Sequence, residues 1–325
     1  MVVENLEEII KKQFGNTIKE TNFPALGELY KGKVRDNYMK EDIRIIIATD
    51  RISSFDRVIT TIPFKGQMLN QISAFWFQKT KNIAKNHLID VPDPNVSIVQ
   101  QCETIPVEMI VRAYITGTMW RNYQKEIPTS GILPPKGLQK NQKFDEIILT
   151  PSTKAASGHD IYLPKEQIIK ENMVSKKIYE EMEEAATKLF IFGQDYCKKH
   201  GLILVDTKYE FGMYNDELIV IDEIHTQDSS RFWISDTYDE KFEKGEKPDI
   251  LDKEIFRGWL METYPDIFPN ISQEQEIPPI ADDIRIEVAK RYMRSYEKIT
   301  GQEFKPEVSN VFQRIQENLK KAKYL

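Results

Sequence analysis

Two apolar β-type runs, "GLILVDTKYEFG" from residue 201 and "ELIVIDEI" from residue 217, are parted only by "MYND". So short a break leaves antiparallel pairing as their connection, because parallel neighbours need a crossover of about a dozen residues or more. This hairpin is not plain core. Asp206, Lys208 and Glu210 alternate with Thr207 and Tyr209, so strand geometry puts acid, base and acid on one face. If the loop is the three residues Asn215, Asp216 and Glu217, then Glu210 lies opposite Asp222 and two carboxylates converge. Facing anions repel unless a cation joins them. Hard oxygen donors suit Mg2+, which takes its other ligands from water and substrate phosphates. A solvated hairpin face carrying an ordinary Lys/Glu pair accounts for the same spacing, and both readings stand at this point.

The rest of the chain alternates strand and helix signals. Val2, Val3, Leu6, Ile9, Ile10 and Phe14 recur at helical spacing, which predicts a helix over 2–14 that stops at Gly15. "LYKGKVRDNY" sets Lys-Gly-Lys between two short β-prone arms, and "DIRIIIATD" is a buried strand beside them. "GQMLNQISAFWFQKTKNI" is helical, "VPDPNV" breaks the chain, and "PVEMIVRAYITG" is again a strand. A boundary near 105 separates a sheet domain of residues 1–105 from a larger α+β domain of residues 106–325. Residues 131–164 hold four prolines and few regular signals, so they read as a long functional loop or an irregular connector. A helix then ends in Lys198, Lys199 and His200 before Gly201, and the segment beyond 250 supplies three more helices.

Composition removes several classes of function. A formal net charge of −6 argues against a nucleic-acid binder working through bulk electrostatics. Cys102 and Cys197 are too few and too far apart for a disulfide framework or a cysteine metal site. No signal-peptide pattern and no long apolar run is present, so a soluble, cytoplasmic protein without a membrane partner is expected. Small anions remain open as ligands. "KGKVRD" offers Gly32 for close approach, with alternation predicting Lys33 and Arg35 on one face; a simple turn accounts for it as well. "SSRFW", with Arg231 after two hydroxyls, and "VRAYITGT", with Arg112 six residues before Thr118, suit a phosphate monoester, although either arginine also reads as an ion-pair partner. His159 in "GHD" reads as a surface or capping residue.

Seven blocks in order, "LYKGKVRD", "ATDRISSFD", "KGQMLNQISAFWF", "PVEMIVRAYITGTMW", "LTPSTKA", "VDTKYEFG" and "DEIHTQDSSRFW", resemble the SAICAR synthetase family of purine biosynthesis. The resemblance implies an α+β, two-domain fold of antiparallel sheets with flanking helices, related to ATP-grasp and kinase-like nucleotide-binding folds. It implies ATP-dependent joining of L-aspartate to the carboxylate of the nucleotide CAIR, giving SAICAR, ADP and phosphate. Carried over residue by residue, Glu210 and Asp222 hold Mg2+, while Lys33, Arg35, Glu108, Asp206 and Lys208 lie on the ATP side. Arg112, Thr118 and Arg231 receive the CAIR phosphate, Asp228 lies near its base, and Lys208 and Asp228 are the catalytic candidates. Ala113 and Thr118 stand where the family commonly has Gly and Ser, and Gln227 where Pro is usual. A small-molecule kinase and a nucleotide-binding regulatory module are the rival readings.

Overall fold

A computed structural model describes residues 5–154 and 161–325 of the chain. In chain order its regular elements are α1 (Leu6–Gln13), β1 (Glu28–Lys31), β2 (Arg35–Lys40), β3 (Ile43–Ala48), β4 (Arg51–Ser54), β5 (Arg57–Thr61), α2 (Lys65–Thr80), β6 (Leu88–Asp93), β7 (Val96–Gln100), β8 (Glu103–Tyr114) and α3 (Gly117–Gln124). There follow β9 (Lys143–Leu149), β10 (Ser152–Thr153), α4 (Lys165–Lys170), α5 (Lys176–Lys199), β11 (Leu202–Tyr214), β12 (Glu217–Ile221), β13 (Ser230–Ile234), α6 (Tyr238–Glu243), α7 (Glu254–Thr263), α8 (Asp282–Thr300) and α9 (Val311–Lys321). The α+β class with antiparallel sheets is as the sequence implies.

The chain makes two compact units. Unit 1 comprises residues 1–75, 88–101 and 251–325. Its antiparallel sheet runs β1-β2-β3-β7-β6. Alternation buries Ile45, Ile47, Val96 and Ile98, and α9 brings Val311, Ile315 and Leu319 into the same core cluster. That burial is why the C-terminal segment joins unit 1 and not residues 106–250, a difference from the division expected at 105. "VPD" is also not a break: it closes β6, and a tight turn returns the chain into β7. Asn5 caps α1, accepting a hydrogen bond from the Glu7 N–H at 3.2 Å.

Unit 2 comprises residues 76–87 and 102–250. Its six-stranded sheet is ordered β10-β8-β11-β12, with β9 also on β8 and β13 also on β11. Ser175 caps α5, which packs on β11 and β8 with Tyr179, Met182, Ala186, Leu189 and Phe190 buried. The acidic residues of α5 begin only after its first turn. Residues 131–164 are not one irregular loop, since β9 and β10 within them add two strands to the sheet. His159 and Asp160 lie outside the described residues. Among the described residues no helix is long and apolar enough to cross a membrane.

The hairpin turn is a correction. Tyr214 pairs with Glu217, so the loop is two residues and not three. Asn215 (φ 50°) and Asp216 (φ 62°) both take the left-handed conformation, which short Asx side chains tolerate and which a type I′ turn demands. Glu210 therefore pairs with Ile221, and Asp222 (φ 68°) lies one residue past the strand.

Candidate active site

The site in unit 2 is built on one face of β11. Its partner β8 sets Glu108 opposite Glu210 and Arg112 opposite Asp206. The carboxylate facing Glu210 is thus Glu108, where the sequence reading expected Asp222. Two buried carboxylates so placed repel unless cations intervene. Lys208 supplies one: its Nζ reaches Glu108 at 2.7 Å and also binds Glu210. Lys154, one residue beyond β10, supplies the second to the other oxygen of Glu210.

The charges fix each other. Burial opposes the ammonium of Lys208, but Glu210, Glu108 and Asp222 outweigh it and hold its pKa well above the ordinary lysine value. Burial likewise pushes the Glu210 carboxyl up, and Lys208 and Lys154 more than reverse this, holding it well below the usual carboxylate range. Both groups are ionised at neutral pH.

Four residues towards the N-terminus of β11, the chemistry changes to phosphate-binding type. Asp206 accepts from Arg112 Nη1 at 2.8 Å and from Arg231 Nη1 at 2.6 Å, both at Oδ2. One carboxylate oxygen thus gathers two guanidiniums. Arg112 is also held by Thr150 Oγ1 at 2.9 Å and by the Tyr162 hydroxyl at 3.1 Å. Arg231 is the more open of the pair, with its side chain 23% exposed against 4% for Arg112. Asp206, expected on the ATP side, gives its carboxylate to these arginines instead. Gly117 (φ 56°) leaves room for Arg231, since a Cβ there would lie 2.7 Å from its Nη2. Thr118 follows in the first turn of α3 and accepts from Arg121 at 2.7 Å.

Asp228 lies in the turn before β13. That turn is tied to β11, because the Lys208 N–H donates to the Ser229 carbonyl at 3.1 Å and the Thr207 and Ser230 hydroxyls meet at 2.7 Å. Beneath it His225, fully buried with φ 48°, sits 2.5 Å from the Tyr209 hydroxyl and edge-on to Trp76. Gly193 of α5 admits its ring, since a Cβ would come within 2.3 Å of the imidazole.

Unit 2 therefore contains Glu108, Arg112, Thr118, Asp206, Lys208, Glu210, Asp222, Asp228 and Arg231, and side-chain hydrogen bonds join Glu108, Lys208 and Glu210 in one group and Arg112, Asp206 and Arg231 in another. Lys33 and Arg35 belong to unit 1. There Lys33 is in the turn before β2, so strand alternation does not govern it, and its Nζ pairs with Asp56. Sequence patterning does not single out Lys154, Thr150 or Tyr162. The first two lie in the quoted "LTPSTKA", which was the available signal; nothing in "GHDIY" marks the tyrosine.

Among the described residues no group of three or more His, Cys, Asp and Glu side chains could hold a metal. The donor set at Glu210 is nevertheless hard and anionic, and Asp222 acts electrostatically on the same lysine. Two carboxylates suit a cation that keeps waters and phosphate ligands, provided it displaces an ammonium from Glu210.

The family model for SAICAR synthetase matches residues 28–270. A phosphoribosylaminoimidazole-succinocarboxamide synthase of Legionella pneumophila (strain Paris) is 42% identical over 293 residues, covering 88% of this chain and 92% of the relative. One from Bacteroides thetaiotaomicron is 44% identical over 308 residues, covering 93% and 97%. Among solved structures, a SAICAR synthase from Saccharomyces cerevisiae complexed with SAICAR aligns with a TM-score of 0.76 at 33% identity, over 89% of this chain and 99% of that one. A type-2 SAICAR synthetase in complex with ADP aligns with a TM-score of 0.64 at 26% identity, over 86% and 100%.

Proposed function

Since the chain belongs to the SAICAR synthetase family, we propose that it joins L-aspartate to the carboxylate of CAIR, converting ATP to ADP and phosphate. The observation that carries this reading is the division of β11 into a two-arginine pocket at Asp206 and a lysine-bridged carboxylate pair at Glu210. The first suits the monoester phosphate of a nucleotide, and the second suits a reacting, charge-changing centre. Relatives bound to SAICAR and to ADP support both halves.

A carboxylate resists attack by an amine because its oxygen is a poor leaving group. In the proposed reaction a CAIR carboxylate oxygen attacks the γ-phosphorus of ATP, the bond to the β-bridging oxygen breaks, and ADP leaves. The aspartate amine then attacks the acyl carbon, inorganic phosphate departs with the C–O bond electrons, and the proton lost from the nitrogen passes to solvent. Phosphoryl transfer asks the protein chiefly for alignment and charge neutralisation. Lys208 neutralises charge at the reacting carboxylate, with Lys33 and Arg35 on the ATP phosphates and Glu108 on the nucleotide side. Arg112, Thr118 and Arg231 anchor the CAIR phosphate, Asp206 orients the two arginines, and Asp228 lies beside the CAIR base. Mg2+ held by Glu210 and Asp222 would supply Lewis-acid neutralisation of the phosphates.

The test is ADP release with CAIR, with and without L-aspartate, and the product identified by mass. SAICAR formed only with aspartate is the expected result. A phosphorylated product without aspartate consumption identifies a small-molecule kinase, and absence of turnover with retained nucleotide binding identifies a regulatory module.

A further inference from the structure

Unit 1 contains a buried arginine whose guanidinium is turned onto the protein itself. Arg51, the first residue of β4, has its side chain 7% exposed. Its Nε donates to the Lys33 carbonyl at 3.0 Å, Nη2 to the Gly32 carbonyl at 3.0 Å and Nη1 to the Lys19 carbonyl at 2.5 Å. Nη2 also meets Asp36 at 2.8 Å. Asp36 is itself fixed, accepting the Thr21 N–H at 2.7 Å and the Thr21 hydroxyl at 2.8 Å. The next carbonyl of the turn, Val34, accepts from Thr49, by its N–H at 3.1 Å and its hydroxyl at 2.8 Å. Three successive turn carbonyls are thereby bonded into unit 1.

A trans peptide is planar, with its C=O and N–H on opposite sides, and the cis bond among the described residues is Phe268-Pro269. Drawing the Gly32 and Lys33 carbonyls towards Arg51 therefore turns the N–H groups of Lys33 and Val34 away from it. Successive N–H groups facing one way form an anion-binding concavity. Asp36 cancels the charge of Arg51, so the guanidinium acts through the turn it holds and not as a phosphate ligand.

We propose that Arg51 is a positioning residue for nucleotide binding, which presents the Lys33 and Val34 amides to the polyphosphate by clamping the carbonyls of the Gly32–Lys33 turn inward. This rests on the reading above, in which Lys33 and Arg35 meet the ATP phosphates. Lysine cannot replace it: one ammonium has neither the reach nor the fork to span three carbonyls and a carboxylate.

The experiment compares wild type, Arg51→Lys and the isosteric Thr49→Val by calorimetric titration with ADP and, separately, with CAIR. Amide NMR of the wild type follows Lys33 and Val34 as ADP is added. We expect ADP affinity to fall tenfold or more in Arg51→Lys and severalfold in Thr49→Val, CAIR affinity to stay within twofold, and both amide signals to move with ADP. Unchanged ADP affinity in folded Arg51→Lys, or amides that do not respond, overturns the role of Arg51 and leaves the ligase reading intact. Should Arg51→Lys fail to fold, the wild-type NMR decides: Lys33 and Val34 amide signals that do not move with ADP overturn the proposal. A wild type that does not bind ADP overturns the nucleotide reading itself, before any variant is compared.

Discussion

Arg231 shows what a single side chain contributes that charge alone does not. Its planar fork gives a donor to Asp206 at 2.6 Å while the side chain stays 23% exposed. Arg231→Lys keeps the charge and loses the fork. A charge-assisted hydrogen bond is worth about 1.5–3 kcal/mol, and about 1.4 kcal/mol is tenfold in affinity, so CAIR affinity should fall about ten- to a hundredfold while ADP affinity holds; calorimetry with each ligand checks it. Gly117→Ala should mimic the loss without replacing a charged side chain, because the new Cβ collides with Arg231 and the residue sits at φ 56°. The arginines were legible because "SSRFW" and "VRAYITGT" pair guanidinium with hydroxyl in the sequence itself. Asp206 as their shared anchor was not, because that contact depends on three strands meeting in register. Lys154 and Tyr162 are hidden for a related reason: each reaches the site from outside β8 and β11, where strand alternation defines a face.

At the scale of elements, hydrophobic patterning found the strands and helices, but a single residue of turn length decided which carboxylates meet. The Asn215-Asp216 turn sets Ile221 against Glu210, so the opposed acid comes from β8, a strand nearly a hundred residues earlier in the chain. Local sequence carries no register for such a pair. Asp222 still bears on Lys208 electrostatically, and Asp222→Asn should leave the thermal unfolding midpoint nearly unchanged while weakening Mg2+-dependent ADP binding; equal binding with and without Mg2+ in both proteins would reject the metal role. Helix α9 makes a separate prediction. Leu319 is fully buried in the unit 1 core, and Leu319→Ala should cost about 2–5 kcal/mol by removing buried apolar volume and leaving a cavity. Denaturant unfolding measures it, and a loss below about 1 kcal/mol would mean that α9 is not integral to that core.

For the whole molecule, two buried titratable groups give the units opposite responses to acid. In unit 2 His225 is fully buried and faces Tyr209 and Trp76, and burial lowers its pKa from 6.5 to about 3. The unfolded chain then takes up a proton that the folded unit refuses, so this stability is complete above pH 6.5 and is lost as pH falls from 6.5 towards 3, by about 5 kcal/mol at most. In unit 1 Asp50 is 1% exposed, and burial raises its carboxyl to about 6 despite hydrogen bonds from the Gly66 and Ile18 N–H groups at 3.0 and 2.9 Å. Here the folded state binds the proton more tightly. Stability is gained as pH falls from 6 to about 4, by about 3 kcal/mol at most, and is lost again as pH rises through that window. Because the two terms oppose, the pH profile of the intact chain between 6 and 4 should be shallower than either group dictates. Asp50→Asn removes the acid gain and should steepen the loss of stability on acidification; His225→Gln removes the acid loss and should flatten it or reverse its sign. Each slope is read from denaturant midpoints at a series of pH values, independently of any constant offset the substitution introduces. Parallel slopes in wild type and both variants would show that neither burial is coupled to folding.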